Sequence, residues 1–289
     1  MEINFEMNKL DSAGNASYLK KNSNEIEKIN VKNEDPFVER VKVKNKYYRV
    51  LEEQIANNKL KGVLAITKLA SEGKNVISDP SFYQIALEFV KRKFTPQKGY
   101  LAAEDIAQSA AIAGVRDEKI YKDAIEYILT PSIKSIEAEF LTNETIDSAC
   151  RVLASISIAN SKLEDNLINA GSAFKFALER ISSSYIANEK RQEQKANVMV
   201  EIFEQALEAK IDVEISREMY EKIYNFIKSH SLLSNNYKIR TLGEITAKAI
   251  KAPGLSHTKL FTDFIEYAKE NGQCNLIRSI KQLLDIYKK

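Results

Sequence analysis

Hydrophobic and small side chains recur three and four residues apart along most of this chain, the period of a helix and not of a strand. The clearest stretch runs from Leu101 to Leu129, LAAEDIAQSAAIAGVRDEKIYKDAIEYIL. In its first half Ala103, Ala107, Ala110 and Gly114 line one face beside Ile106. That face is apolar and small, so a second helix can approach it closely. Gly114 suits a helix C-terminus that needs φ > 0, and Asp117 can accept from the free N–H groups that open the next helix. Ile120, Tyr121, Ala124, Ile125, Ile128 and Leu129 then make a stripe wider than a coiled-coil seam, which predicts neighbours on more than one side. Thr130-Pro131 closes the hairpin, because proline lacks the N–H a continuing helix uses and restricts the residue before it.

The same spacing predicts helices over about 46–57, 59–72, 80–94, 142–160, 163–187, 189–209, 216–229, 237–251, 257–270 and 274–287, about a dozen in all. The one starting at Pro80 has Asp79 as its cap and proline in its first turn. Upstream, Val41, Val43 and Tyr47 alternate with Arg40, Lys42, Lys44 and Lys46, the period of a short extended strand. Residues 1–45 read as an extended polar arm with eight basic and eight acidic side chains, too polar to order by itself. A partner in a large assembly would have to hold it. Residues 46–289 read as the helical domain.

Within that domain units repeat. YQIALEFV at 83 is similar to YKDAIEYI at 121, LAAEDIAQSA at 101 to LTNETIDSA at 141, and YEKIYNFI at 220 to LFTDFIEYA at 260. A helix pair of roughly 40 residues cannot bury both of its faces alone, so such pairs stack into a one-dimensional array with a concave surface. The expected fold is all-α, a right-handed solenoid of degenerate helix-turn-helix repeats behind the arm.

Composition narrows the function classes. Nine glycines and five prolines in 289 residues leave too few turns for a β-sandwich. Net charge is +3, from 43 basic and 40 acidic residues, so nothing global announces nucleic-acid binding. No apolar run reaches the roughly 18 residues a membrane helix needs, and the acidic, arginine-free start MEINFEMNKLDSAGNASYLKK suits neither a secretory signal nor an ordinary transit peptide. Cys150 and Cys274 have no paired motif and suit a reducing compartment. The Asn15 and Asn143 sequons are then chance matches.

The phrase LAAEDIAQSAAIAGVRDEKIYKDAIEYI resembles the degenerate helical-hairpin repeats of organellar RNA-binding proteins of the FAST and RAP-associated type, over about residues 80–165. Asp117, Ile120 and Tyr121 match their D-x-x-I/L-Y phrase. The resemblance implies a mitochondrial setting. The C-terminal RAP-type domain has no counterpart here, since residues 256–289 still read as helix, and a repeat domain used for docking is what remains.

Catalysis has no signature. His230 and His257 sit at helix edges, no phosphate loop, dinucleotide turn, H-E-x-x-H or paired C-x-x-C occurs, and carboxylate neighbours such as Glu104-Asp105 and Glu52-Glu53 point apart on a helix. No enzyme activity, cofactor, metal or small-molecule substrate is expected. The densest local chemistry is Arg40, Lys42, Lys44, Lys46 and Arg49 with Tyr47 and Tyr48. Cations for phosphates and rings for unpaired bases suit RNA; a backbone of 38–44 pairing with a partner's sheet edge, or a solvated basic face, would explain the same residues. Lys91-Arg92-Lys93 has a simpler role at a helix C-terminus. The aromatic residues at helical spacing, among them Phe82, Tyr83, Phe203 and Tyr220, read as packing. The leading expectation is a non-enzymatic scaffold or interaction subunit among the protein subunits of a large, mitochondrial assembly. The alternative is an organellar RNA-binding factor or mitochondrial ribosome subunit that uses the basic arm and concave face. Convergent cations would favour RNA; a face mixed in charge would favour protein.

Overall fold

The computed structural model describes residues 36–72, 76–130, 141–161, 167–184, 189–252, 254–255 and 259–287. All secondary structure among them is helical: α1 (Pro36–Ala56), α2 (Leu60–Glu72), α3 (Pro80–Lys93), α4 (Pro96–Ile112), α5 (Glu118–Ile128), α6 (Asn143–Ser161), α7 (Gly171–Ser183), α8 (Glu189–Glu208), α9 (Val213–Ser229), α10 (Asn235–Lys251), α11 (Lys259–Glu270) and α12 (Cys274–Tyr287). Each helix packs against the next and, along most of the chain, against the next but one. Two rows result. The first runs α1, α3, α5, α7, α9, and the second α2, α4, α6, α8, α10, α12. A helix with neighbours on three or four sides needs a broad apolar surface, and α5 has one in Ile120, Tyr121, Ala124, Ile125, Tyr127 and Ile128, all buried.

Local chemistry sets the helix ends, at Asp79 and Asp117 as expected, and at Asp212 and Pro96 a few residues before the expected starts. Asp79 accepts from Ser81 N at 3.0 Å, Asp117 from Lys119 N at 3.0 Å, and Asp212 from Glu214 N at 2.8 Å, so three first-row helices open on the same cap. Tyr83 and Tyr121 each follow their cap by four residues and are fully buried, which is the repeat seen at those positions in the sequence. Gly114 closes α4 at φ 69°, a left-handed conformation that costs glycine nothing. Gly99 permits a close contact: a Cβ there would overlap the Tyr127 hydroxyl, which donates to the Phe94 carbonyl at 2.8 Å.

Two expectations fail. Residues 36–45 are helical and not extended, because Val43, Tyr47 and Leu51, four apart, are all buried, and that stripe packs α1 on α2 and α3. The sheet-edge role for 38–44 goes with the strand. Residues 1–35 of the expected arm lie outside the described residues. The helix expected over 163–187 is also shorter. Residues 167–170 are not helical, since Asn160 at the end of α6 takes both the N–H and the carbonyl of Ile168, at 2.7 and 3.0 Å. The expected packing aromatics are mostly interior, with Phe176, Phe226 and Tyr267 half-buried.

Candidate functional site

The predicted basic cluster divides once it is wound into α1. Tyr47 is 3% exposed and Tyr48 half-buried, and both meet the Phe82 ring edge-on, at 6.4 and 5.3 Å. Lys44 pairs with the Asp79 cap at 2.5 Å and lies 5.8 Å from the centre of the Tyr48 ring. Burial pushes the Tyr48 hydroxyl well above its ordinary range, and its hydrogen bond to Asp79 adds to this. Burial would raise Asp79, but Lys44, Ser81 N and Tyr48 together hold it low. Lys44, Tyr47 and Tyr48 therefore fasten α1 to α3, and Tyr47 has no face left for a base. Lys42, Lys46 and Arg49 share the opposite flank at helical spacing, and neither Lys42 nor Lys46 is without a partner. Arg40 is in the helix, with its side chain outside the described part.

First-row charges mostly neutralise one another between successive helices. Gln84 donates to Asp123 at 2.9 Å, Lys175 meets Glu218 at 2.5 Å and Lys222 meets Glu179 at 3.9 Å; Glu118 accepts from Ser172 N. The second row has such pairs too, Arg151 with Glu104 and Lys248 with Glu204, and it leaves aliphatic side chains exposed. On α4 the one strip left uncovered contains Leu101, Asp105, Gln108 and Ile112, with Leu101 47% and Ile112 57% exposed. On α6 it contains Asp147, Arg151 and Ile158, the last 58% exposed. On α8 it contains Glu201 and Glu208 beside the half-buried Glu204.

These residues form a charged band across the row. Asp105 of α4 feels Lys68 of α2 and Arg151 of α6; Glu201 of α8 feels Asp147 of α6 and Glu204; Lys248 of α10 pairs with Glu204 and, at 3.7 Å, with Glu244. Asp105 and Glu201 are open to solvent yet have raised pKa values, first through desolvation and then through carboxylate neighbours, Glu104 for one and Asp147 and Glu204 for the other. Beneath the band Glu104, 6% exposed, takes Ser148 Oγ at 2.6 Å, Arg151 Nε and Nη2 at 2.5 and 2.7 Å, and Gln108 Nε2 at 3.1 Å. It locks α4 to α6. Nothing in the sequence singled out this band, because its members lie some 40 residues apart.

Cys150 lies beside the band. Burial first, then Glu201 and Asp147, push its thiol up to about 12, while Cys274 is exposed. One thiol is expected to react with an excess of a disulfide reagent at pH 8 in the native protein, and two after denaturation; two reacting natively would contradict the burial of Cys150.

Among the described residues no group of three or more His, Cys, Asp or Glu side chains could hold a metal ion, and no helix is long and apolar enough to cross a membrane. His230 caps the end of α9, and His257 lies outside the described residues. No family model matches the chain, nor does any curated protein or solved structure.

Proposed function

We propose that this protein is a non-enzymatic helical-repeat scaffold whose second-row strip docks a partner protein in a larger assembly. The observation that carries the reading is the combination of Leu101, Ile112 and Ile158 in water with the exposed carboxylates Asp105, Asp147 and Glu201 on the same row. A segment with apolar and basic side chains, such as an amphipathic Lys/Arg-bearing helix, matches both features; a phosphate backbone would be repelled by them. Stacking of roughly 40-residue helix pairs in two rows supports a solenoid. A mitochondrial home rests on the resemblance of residues 80–165 to organellar repeat proteins. The competing RNA reading has the Lys42, Lys46 and Arg49 flank on its side.

Binding separates the two. A fluorescent amphipathic helix of leucines and lysines is expected to bind the full chain with an affinity that falls as salt rises. Asp105→Lys, Asp147→Lys and Glu201→Lys together are expected to weaken it at least about tenfold. Binding should also weaken as pH falls into the range of the raised Asp105 and Glu201 carboxyls, where the strip loses charge. Peptide affinity unchanged by the triple reversal would sink the docking reading. Single-stranded RNA bound at low salt, and lost in a Lys42→Glu, Lys46→Glu, Arg49→Glu variant, would replace it.

A further inference from the structure

Near the α7–α8 and α9–α10 turns two lysines are buried, and the charge of each reaches His230. Lys195 of α8 is 6% exposed and Lys238 of α10 is 9% exposed. Lys195 Nζ donates to the Ser184 carbonyl at the end of α7, at 2.7 Å, and lies 5.2 Å from the centre of the Phe226 ring. Lys238 Nζ donates to the Lys228 carbonyl near the end of α9, at 3.2 Å. An ammonium has three donors, and among the described residues each of these two gives one to a carbonyl. His230, half-buried at the end of α9, packs its ring 5.0 Å from that of Phe226.

Among the described residues neither ammonium is paired with a carboxylate. Burial lowers the His230 pKa, and the charges that lower it further are Lys195 and Lys238. Glu193 of α8 and Glu244 of α10 face Tyr237, Lys228 turns its own ammonium towards Tyr224 and Tyr267, and α7 offers the Ser184 carbonyl. The helix C-termini supply a fraction of a charge each, against two whole ones. Buried charges are ordinarily matched by an opposite charge, and what would match these is an anion.

We propose that Lys195, Lys238 and His230 form a site for a phosphate-type oxyanion, free or carried as a phosphomonoester, at the hairpin ends of α7–α10. The spare N–H groups of the two lysines would bind its oxygens, and the half-exposed imidazole would be the third donor once protonated. Binding is thus coupled to proton uptake at His230. The site lies apart from the second-row strip and does not depend on the docking reading.

The probe is inorganic sulfate, which has no proton to exchange near neutral pH, against chloride at matched ionic strength. The chain has two histidines, so their ring protons can be followed separately by NMR. In chloride the His230 pKa is expected below the ordinary value; sulfate is expected to raise it, saturably, and to leave His257 alone. Melting temperature should rise saturably with sulfate, more at pH 6 than at pH 8. Lys195→Met and Lys238→Met are each expected to fold and to lower sulfate affinity about tenfold or more. A rise without saturation, equal in both variants, would be the general salting effect of sulfate and would overturn the proposal. So would equal movement of both histidines, or none at His230, in the wild-type protein, a result that needs no variant to fold. Phenyl phosphate and inorganic phosphate as competitors then tell the sources apart: stronger displacement by the ester points to a phosphorylated ligand, and stronger displacement by the free ion to phosphate itself.

Discussion

Asn160→Ala is expected to lower the unfolding free energy by about 3–4 kcal/mol. Asn160 is 0% exposed, and its side chain meets three backbone groups from two other segments. Its Oδ1 accepts from Ile168 N at 2.7 Å, and its Nδ2 donates to the carbonyls of Ile168 and Ala209 at 3.0 and 2.9 Å. The amide orientation is fixed by those partners, since a flip would set Nδ2 against an N–H and Oδ1 against two carbonyls. Ala209 follows the last residue of α8, where helical N–H groups no longer reach the carbonyls. Ser157, one turn earlier on α6, donates to Gln205 O at 2.8 Å, a carbonyl that also accepts from Ala209 N. Alanine would strand one donor and two acceptors away from water, each at about 1–3 kcal/mol before relaxation. Asn160→Asp makes a sharper test. It keeps the acceptor for Ile168 N and loses the donor, so a carboxylate would face two carbonyls and its folded pKa would rise. The folded state would then hold a proton that the unfolded chain has released, and stability would fall as pH rises from about 4 through the raised folded value. Urea denaturation at pH 5 and pH 7 checks both variants. A loss under about 1 kcal/mol for alanine, or an aspartate variant that gains stability with pH, would contradict the clamp.

Why the helices were legible and the clamp was not has a single physical root. A helix between two rows must bury a wide stripe, and a stripe is local in sequence: Ile120, Tyr121, Ala124, Ile125 and Ile128 are all within nine positions. The cap Asp117 and the stop Gly114 are equally local. Asn160 and Ile168 are linked across the residues that were expected to be helical, and a polar residue at the end of an apolar helix carries no mark of whether it faces water or backbone. For α1, period two and period four fit the same ten residues. Val43 and Tyr47 belong to both, and Leu51, fully buried, decides for the helix. Tyr47 then turns inward and Lys44 towards Asp79, which divides a cluster that looked continuous. The second-row band was illegible for a further reason: Lys68, Asp105, Asp147, Glu201 and Lys248 come one or two per helix. One signal was available. Leu101 and Ile112 lie on the side of α4 away from Ala103, Ala107 and Ala110, and a helix already apolar on its small face had no packing need for them.

Glu104→Ala is expected to cost about 3 kcal/mol and Arg151→Ala only about 1, although the two residues share one ion pair. The asymmetry follows from exposure: the Glu104 side chain is 8% exposed and the Arg151 side chain 49%. Removing Arg151 frees a guanidinium position that water already reaches, and it leaves the carboxylate with Ser148 and Gln108. Removing Glu104 strands Ser148 Oγ, a fully buried hydroxyl, and opens space between α4 and α6. Glu104→Gln should fall between them at about 2 kcal/mol, because an amide keeps one acceptor but turns an N–H towards donors. Combining Glu104→Ala with Arg151→Ala should cost less than the sum, by about 1 kcal/mol, since the pair is lost once. Urea denaturation of the four variants gives the cycle. Equal costs for the two alanines, with strict additivity, would mean that Arg151 contributes through its own packing and that the carboxylate does not hold α4 to α6. The same variants bear on docking. Asp105 adjoins Glu104 in the chain and feels Arg151, so a junction that slips would move Leu101 and Ile112 relative to Ile158. Glu104→Ala is therefore expected to weaken the basic amphipathic peptide although Glu104 itself is buried, and Arg151→Ala, which removes a cation from the strip and leaves the junction closed, to strengthen it.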